Sequence, residues 1–171
     1  MNQAMPPIAP NAMPTIRLDR CDSIYVPQIR YMLRHDRDRV MEIEYLSFGD
    51  PWTWDYFCAV CSKNRVLPAV VVIRGEVACY MVYDLGGRAM RIINLAVAPH
   101  IRRRGLGRLM VRTTQSIAAK AKKPVQVNVA ERNVDGQLFF RALGFECTAI
   151  KRHCYCDGQD GYRFVWKEPT C

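Results

Sequence analysis

Apolar and polar residues alternate along this chain with two periods, near two and near 3.6, and the switches between them mark its elements. Tyr25–Met32 reads as a strand with Pro27 near its start, where a missing N–H matters least. Asp36 and Asp38 suit a helix N-terminus, after which Val40, Ile43 and Leu46 recur at helical spacing. A loop, Phe48–Trp52, leads to Thr53, placed to cap a second short helix. Three strands follow at Ala69–Ile73, Val77–Leu85 and Ala89–Val97, joined by tight turns at Arg74-Gly75 and Gly86-Gly87. A long helix opens in Arg104–Gly107, carries Leu106, Met110, Thr113 and Ile117 on one face, and ends at Lys122-Lys123-Pro124. Val125, Val127 and Val129 alternate with Gln126 and Asn128, the signature of a half-buried strand. Asn133 caps a short helix that stops at Gly144, and two strands, Phe145–Tyr155 and Tyr162–Lys167, flank the turn at Asp157-Gly158. The order βααβββαβαββ is that of a mixed α/β fold in a single domain over residues 24–171. Residues 1–23, with Pro6, Pro7, Pro10 and Pro14, read as a flexible tail that buries too little to offset its ordering entropy.

Composition narrows the class. A chain of 171 residues, half of them hydrophobic and 24% charged, supports one buried core and is too short for two full-sized domains. The longest strongly apolar run, Val66–Ile73, is far below the roughly 20 residues of a membrane span. The N-terminus lacks the basic and apolar regions of a secretory signal, so a cytoplasmic protein without a membrane role is expected. With 25 basic against 16 acidic residues the net charge is +9, which suits a polyanionic partner such as nucleic acid, a ribosome surface or a phosphorylated cofactor, and equally suits general solubility. Eight cysteines include Cys58-x-x-Cys61 and Cys154-x-Cys156, the latter beside His153. Short thiol spacings can bind zinc, but Cys58 and Cys61 fall on a helix without the turn of a zinc knuckle. Buried small hydrophobes are the simpler reading, and no metal site is assigned.

The stretch Leu95–Arg108, LAVAPHIRRRGLGR, carries the most chemistry. It is a strand end, a basic turn and a helix start. Unpaired N–H groups and the dipole at a helix N-terminus favour a phosphate, and glycine lets that phosphate approach the backbone. The stretch is neither a Walker A loop, which needs Gly-Lys-Ser/Thr, nor a Rossmann fingerprint, whose third glycine is missing. Read alone it is either a phosphate cradle or an arginine-rich solvated turn.

Three spaced segments resemble one superfamily. Arg102-x-x-Gly105-x-Gly107, after INLAVAP, resembles the acetyl-CoA loop of the GNAT N-acetyltransferases. Asn133-x-x-Gly136-Gln-x-Phe139-Phe140-x-x-x-Gly144-Phe145 resembles that superfamily's N-x-x-A-x-x-L-Y-x-x-x-G-F segment, and Phe48-Gly-Asp-Pro-Trp52-Thr-x-x-x-Phe57 resembles the F-P-x-P-W-S-x-x-x-F loop of its RimI-type protein N-terminal acetyltransferases. The resemblance spans Tyr25 to Lys167 and implies a central, mostly antiparallel sheet flanked by helices, with acetyl-CoA as cosubstrate. It implies that the backbone of Leu95, Ala96 and Val97 pairs with the pantetheine arm. The segment Arg102, Arg103, Arg104, Gly105, Leu106, Gly107 and Arg108 cradles the pyrophosphate, and Asn133 and Phe140 border the cofactor. Phe48 and Trp52 then cover the acceptor, and Tyr155 holds the acceptor backbone at the catalytic centre. The acceptor so implied is a protein or peptide N-terminus, a ribosomal protein among the candidates, with no direct nucleic-acid role.

Two positions depart from the resemblance. Asn128 stands on the strand where RimI-type enzymes carry a catalytic glutamate, and Phe140 stands where the family carries a tyrosine acting as general acid. Asn128 lies opposite the valine face, as a site residue does, but an amide can only position a water or the amine. Glu131 is the nearest carboxylate in sequence and matches no catalytic position. Rival readings are transfer to lysine or a small amine, and a non-catalytic acyl-CoA-binding module.

Overall fold

The computed structural model describes residues 26–155 and 157–169; the expected tail over residues 1–23, together with Cys156, lies outside them. The elements are β1 (Gln28–Tyr31), α1 (Arg37–Ser47), α2 (Trp54–Cys61), β2 (Val66–Ile73), β3 (Glu76–Asp84), β4 (Met90–Val97), α3 (Leu106–Lys120), β5 (Val125–Ala130), α4 (Val134–Arg141), β6 (Glu146–Lys151) and β7 (Gly161–Trp166). Short 3₁₀ turns stand at Arg34–Asp36 and Pro99–Ile101. The strands hydrogen-bond in the order β1-β2-β3-β4-β5-β7-β6. β1–β2, β5–β7 and β6–β7 are antiparallel and β4–β5 is parallel. The mixed α/β pattern expected from the hydrophobic periodicity is the one observed. The chain gathers into two compact units, one holding the described residues up to Tyr83 and Asn94–Met110, the other Asp84–Ile93 and those from Val111 onward.

In the first unit, Val40 and Ile43 of α1, Phe57 and Val60 of α2, and Val66, Val70, Val72, Val77, Tyr80 and Val82 of the strands form a contiguous core. Thr53 caps α2, its Oγ1 accepting the Tyr56 N–H at 3.2 Å. The Phe57 ring then stacks 5.5 Å from Trp54 and lies 6.4 Å from Tyr80, fixing α2 against β3. The apolar stripe of α1 is not the expected one. Leu46 is 53% exposed and Glu44, 1% exposed, takes the inward place. At 3.6 residues per turn Leu46 lies about 120° around the axis from Val40, whereas Glu44, four residues on, shares its face.

In the second unit β5 pairs with β7 along its whole length, with Asn128 opposite Arg163 and Ala130 opposite Gly161. Val125, Val127 and Val129 are buried and Asn128 is exposed, as their alternation implies. Asn133 caps α4 by accepting the Gly136 N–H at 2.8 Å. Gly144, at φ +83°, reverses the chain after it.

β6 ends at Lys151, four residues before the Tyr155 end that periodicity suggests. The cause is Asp160, whose carboxylate accepts the His153 N–H at 3.0 Å and pairs with Arg152, folding the chain back while His153 takes φ +47°. The His153 N–H, ahead of the Arg152 charge, holds the Asp160 carboxyl below its usual range. A depressed carboxyl stabilises the turn above the unfolded value near 4 and releases it as pH falls through the folded one. The His153 amide shift, followed by NMR from pH 6 down to 2, is expected to hold steady until pH drops below about 4.

Candidate functional site

The basic turn lies in the first unit. Its residues 102–105 are exposed, Arg103 takes φ +66° and Gly105 takes φ +86°. The Leu109 N–H bonds to the Gly105 carbonyl at 2.9 Å, so the Leu106, Gly107 and Arg108 amides precede every helical acceptor. A Cβ built on Gly105 meets no heavy atom within 4 Å, so the space beside that backbone is open. Among the described residues no carboxylate pairs with Arg103, Arg104 or Arg108. Free amides, an open approach and unneutralised cations fit a phosphorylated ligand. Arg102 is used differently: its Nε donates to the Val97 carbonyl at 3.0 Å and its guanidinium to Ser47 Oγ at 2.9 Å, clamping the turn to the end of β4 and of α1. Of the β4 segment expected to meet a ligand, the Val97 carbonyl is therefore engaged within the protein. The β4–β5 ladder covers Met90–Ile92 and does not extend to Leu95, Ala96 and Val97.

Phe48 and Trp52 are half-buried and pack against the same core, with Trp52 edge-on to Tyr56 at 5.1 Å and to Phe57 at 6.1 Å. Beneath them is a group that sequence reasoning missed. The Glu44 carboxylate accepts the Trp52 N–H at 2.8 Å, the Tyr80 hydroxyl, and the Asn94 amide at 3.2 and 3.4 Å. Burial, with the Glu44 charge second, pushes the Tyr80 phenol far up, keeping it a donor. One acid thus joins α1, the Phe48–Trp52 loop, β3 and β4. Its signal in the sequence is a carboxylate at the i+4 position of the Val40 stripe, where an apolar residue is ordinary.

The second unit brings Asn128 and Tyr155 to one sheet face. Gly161 points to the same face as Arg163, and its missing Cβ would come within 3.0 Å of the Tyr155 ring and 2.5 Å of Cys154 Sγ. The ring lies on the sheet because residue 161 has no side chain. Ala130, opposite Gly161, is two residues from Asn128 on the same face. Burial, then Cys154 and Asp157, pushes the Tyr155 phenol up to about 12, so it remains a protonated donor through neutral pH. Asn133 spends its side-chain oxygen on the α4 cap, leaving its Nδ2 for a ligand. Phe140 is buried, edge-on to Phe139 at 5.1 Å and to Phe145 at 5.2 Å.

Among the described residues no group of three His, Cys, Asp or Glu is arranged to hold a metal ion. Cys61 is buried, its thiol pushed up to about 12 by that burial, while Cys154 is exposed and Cys156 lies outside the described residues. No described helix is long and apolar enough to cross a membrane.

Residues 57–147 match the family described as an acetyltransferase (GNAT) domain. A Bacillus subtilis protein, provisionally named a ribosomal protein bS18-alanine N-acetyltransferase, is 26% identical over 81% of this chain and 93% of its own length. The crystal structure of the ribosomal-protein-S18-alanine N-acetyltransferase of Escherichia coli superposes with TM-score 0.75 at 21% identity, covering 85% of this chain and 96% of that one. Arabidopsis thaliana NAA60, solved with acetyl-CoA, superposes with TM-score 0.71 at 15% identity, covering 84% of this chain and all of that one.

Proposed function

We propose, for a chain that belongs to the GNAT acetyltransferase family and so is an N-acetyltransferase using acetyl-CoA, that the acceptor is the α-amino group of a protein N-terminus. The observation that carries this reading is Asn128, exposed on β5 with a cation rather than a carboxylate opposite it. An amide cannot take a proton near neutral pH, so the acceptor must supply its own neutral fraction. An α-amine, with pKa near 8, is roughly a quarter neutral at pH 7.5, whereas lysine, near 10.4, is about one part in a thousand neutral. The gap, about 3 kcal/mol, favours an N-terminus over lysine and polyamines. The relatives' names point the same way, and a ribosomal protein is among the acceptors they suggest.

The cofactor's contribution is an activated thioester whose thiol leaves as thiolate with little acid assistance. The amides of Leu106, Gly107 and Arg108, with Arg103 and Arg104, hold its phosphates in this reading; Leu95 and Ala96 offer strand backbone groups to its arm. Phe48 and Trp52 exclude water over the acceptor. Asn128 orients the amine, and the Tyr155 hydroxyl donates a hydrogen bond to the acceptor's backbone without itself titrating below about pH 10.

Acetyl-CoA consumption with N-terminal peptides, free lysine and spermidine tests the proposal. Peptides are expected to turn over at least tenfold faster than either amine. The rate is expected to rise through about pH 7 to 8.5 with a midpoint that moves with the peptide's own α-amine pKa. A midpoint fixed near 6 to 7 for every peptide would identify a titrating protein group and overturn the role given to Asn128.

A further inference from the structure

The face that carries Asn128 and Tyr155 holds a third polar residue. Arg163 of β7 is the register partner of Asn128, and Ala149 of β6 stands on its other side. Side chains directly opposite in an antiparallel pair have Cβ atoms about 5 Å apart, so the Asn128 amide and the Arg163 guanidinium occupy one neighbourhood. Arg163 is half-buried. Its carbonyl receives the Thr148 hydroxyl, but among the described residues its guanidinium makes no hydrogen bond and no ion pair. The neighbours in register carry no charge to satisfy it: Asn128 is an amide and Ala149 a methyl. Glu146, the nearest acid along β6, stands opposite Val165 instead and forms no ion pair with Arg163 among the described residues. A half-buried guanidinium has lost part of its hydration, and its planar fork matches a carboxylate. The same charge repels a second cation, disfavouring amines that carry one close by.

We propose that Arg163 binds a carboxylate on the acceptor and selects N-termini with Asp or Glu among their first two residues. The inference rests on the reading that Asn128 marks the amine's end of the site. Asn128 then holds the amine, and Arg163, across the ladder, holds the acidic side chain of the peptide's first or second residue.

Initial rates with peptides beginning Ala-Ala, Ala-Glu, Glu-Ala and Ala-Lys, and with free glutamate, test this at one salt concentration. The native enzyme is expected to prefer the better acidic peptide over Ala-Ala by about 10- to 100-fold in kcat/KM, with Ala-Lys the poorest. In Arg163→Met the acidic-to-neutral ratio is expected to fall to about three or below, and Arg163→Glu is expected to reverse the order of Ala-Glu and Ala-Lys. An unchanged acetyl-CoA-induced melting shift certifies that each variant is folded and loaded. Brisk turnover of Ala-Ala and Ala-Lys alongside the acidic peptides would overturn this proposal and leave N-terminal transfer standing. A preference that survives in Arg163→Met, or free glutamate outrunning every peptide, would also overturn it. Turnover of no peptide by a protein that still binds acetyl-CoA would remove both readings together.

Discussion

Gly105→Glu is expected to abolish the thermal stabilisation that acetyl-CoA gives the native chain. A ligand at a hundred times its Kd stabilises the folded state by about 2.7 kcal/mol, which for a domain of this size raises Tm by roughly 5–10 °C. Two effects of the substitution must be separated. Gly105 takes φ +86°, so any side chain there costs about 1–2 kcal/mol in the folded protein whether or not a ligand is present. The second effect is local: because a Cβ there meets no protein atom within 4 Å, the new side chain fits sterically and occupies the open space in front of the α3 amides. A carboxylate in that space competes with phosphate for the same N–H groups and reverses the local charge. Gly87→Glu supplies the control. Gly87 has φ +65° and equally open surroundings, but lies in the β3–β4 turn, which joins two strands and opens no helix. Its variant should melt lower, like Gly105→Glu, and still be stabilised in full by acetyl-CoA. Gly105→Ala, with the strain but not the charge, should retain most of the shift. Equal shifts in the native protein and in Gly105→Glu, measured by differential scanning fluorimetry, would sever the turn from cofactor binding.

The reach of sequence reasoning follows the range of the forces involved. Features fixed by neighbours in the chain are legible: the Thr53 and Asn133 caps, each bonding to an N–H three residues on, and the valine alternation of β5. The Leu95–Arg108 turn belongs with them, because a helix N-terminus and two glycines are local properties. The end of β6 was not legible, since Asp160 draws the chain back from beyond the turn, and Tyr155 sits on the sheet only because Gly161 leaves room. Arg163 reads as one more surface cation until the ladder sets it opposite Asn128. Phe140 resembles a site position by spacing, yet the rings of Phe139 and Phe145 on either side give it core packing as well. Glu44 was the least accessible: its place four residues after Val40 puts it on the inward stripe, but two of its three partners lie 36 and 50 residues away along the chain, so nothing local says what the carboxylate meets there.

That carboxylate supports the second large effect. Glu44→Ala is expected to lower stability by about 3–5 kcal/mol, measured by urea unfolding, out of the 5–15 kcal/mol typical of a domain. The loss arises less from missing attraction than from donors left without an acceptor. The Trp52 N–H, the Tyr80 hydroxyl and the Asn94 amide all point at Glu44, and each buried donor left unsatisfied costs about 1–3 kcal/mol. Glu44→Gln separates charge from hydrogen bonding. Its oxygen can still accept from Trp52, its NH2 can donate to the Tyr80 oxygen, and a flipped Asn94 can offer its own oxygen, so it is expected to lose only about 1–2 kcal/mol. Tyr80→Phe removes one donor, leaves the acid with Trp52 and Asn94, and should cost less than Glu44→Ala. The same series tests the acceptor role proposed for the Phe48–Trp52 loop. In Glu44→Ala the Trp52 amide is released and the segment Phe48–Trp52 loses its tie to α1, so this variant is expected to raise KM for the peptide and Glu44→Gln to leave it near the native value, with the acetyl-CoA-induced melting shift retained in both. A Glu44→Ala protein as stable as Tyr80→Phe would show the three donors satisfied by other means and would remove Glu44 as the loop's anchor.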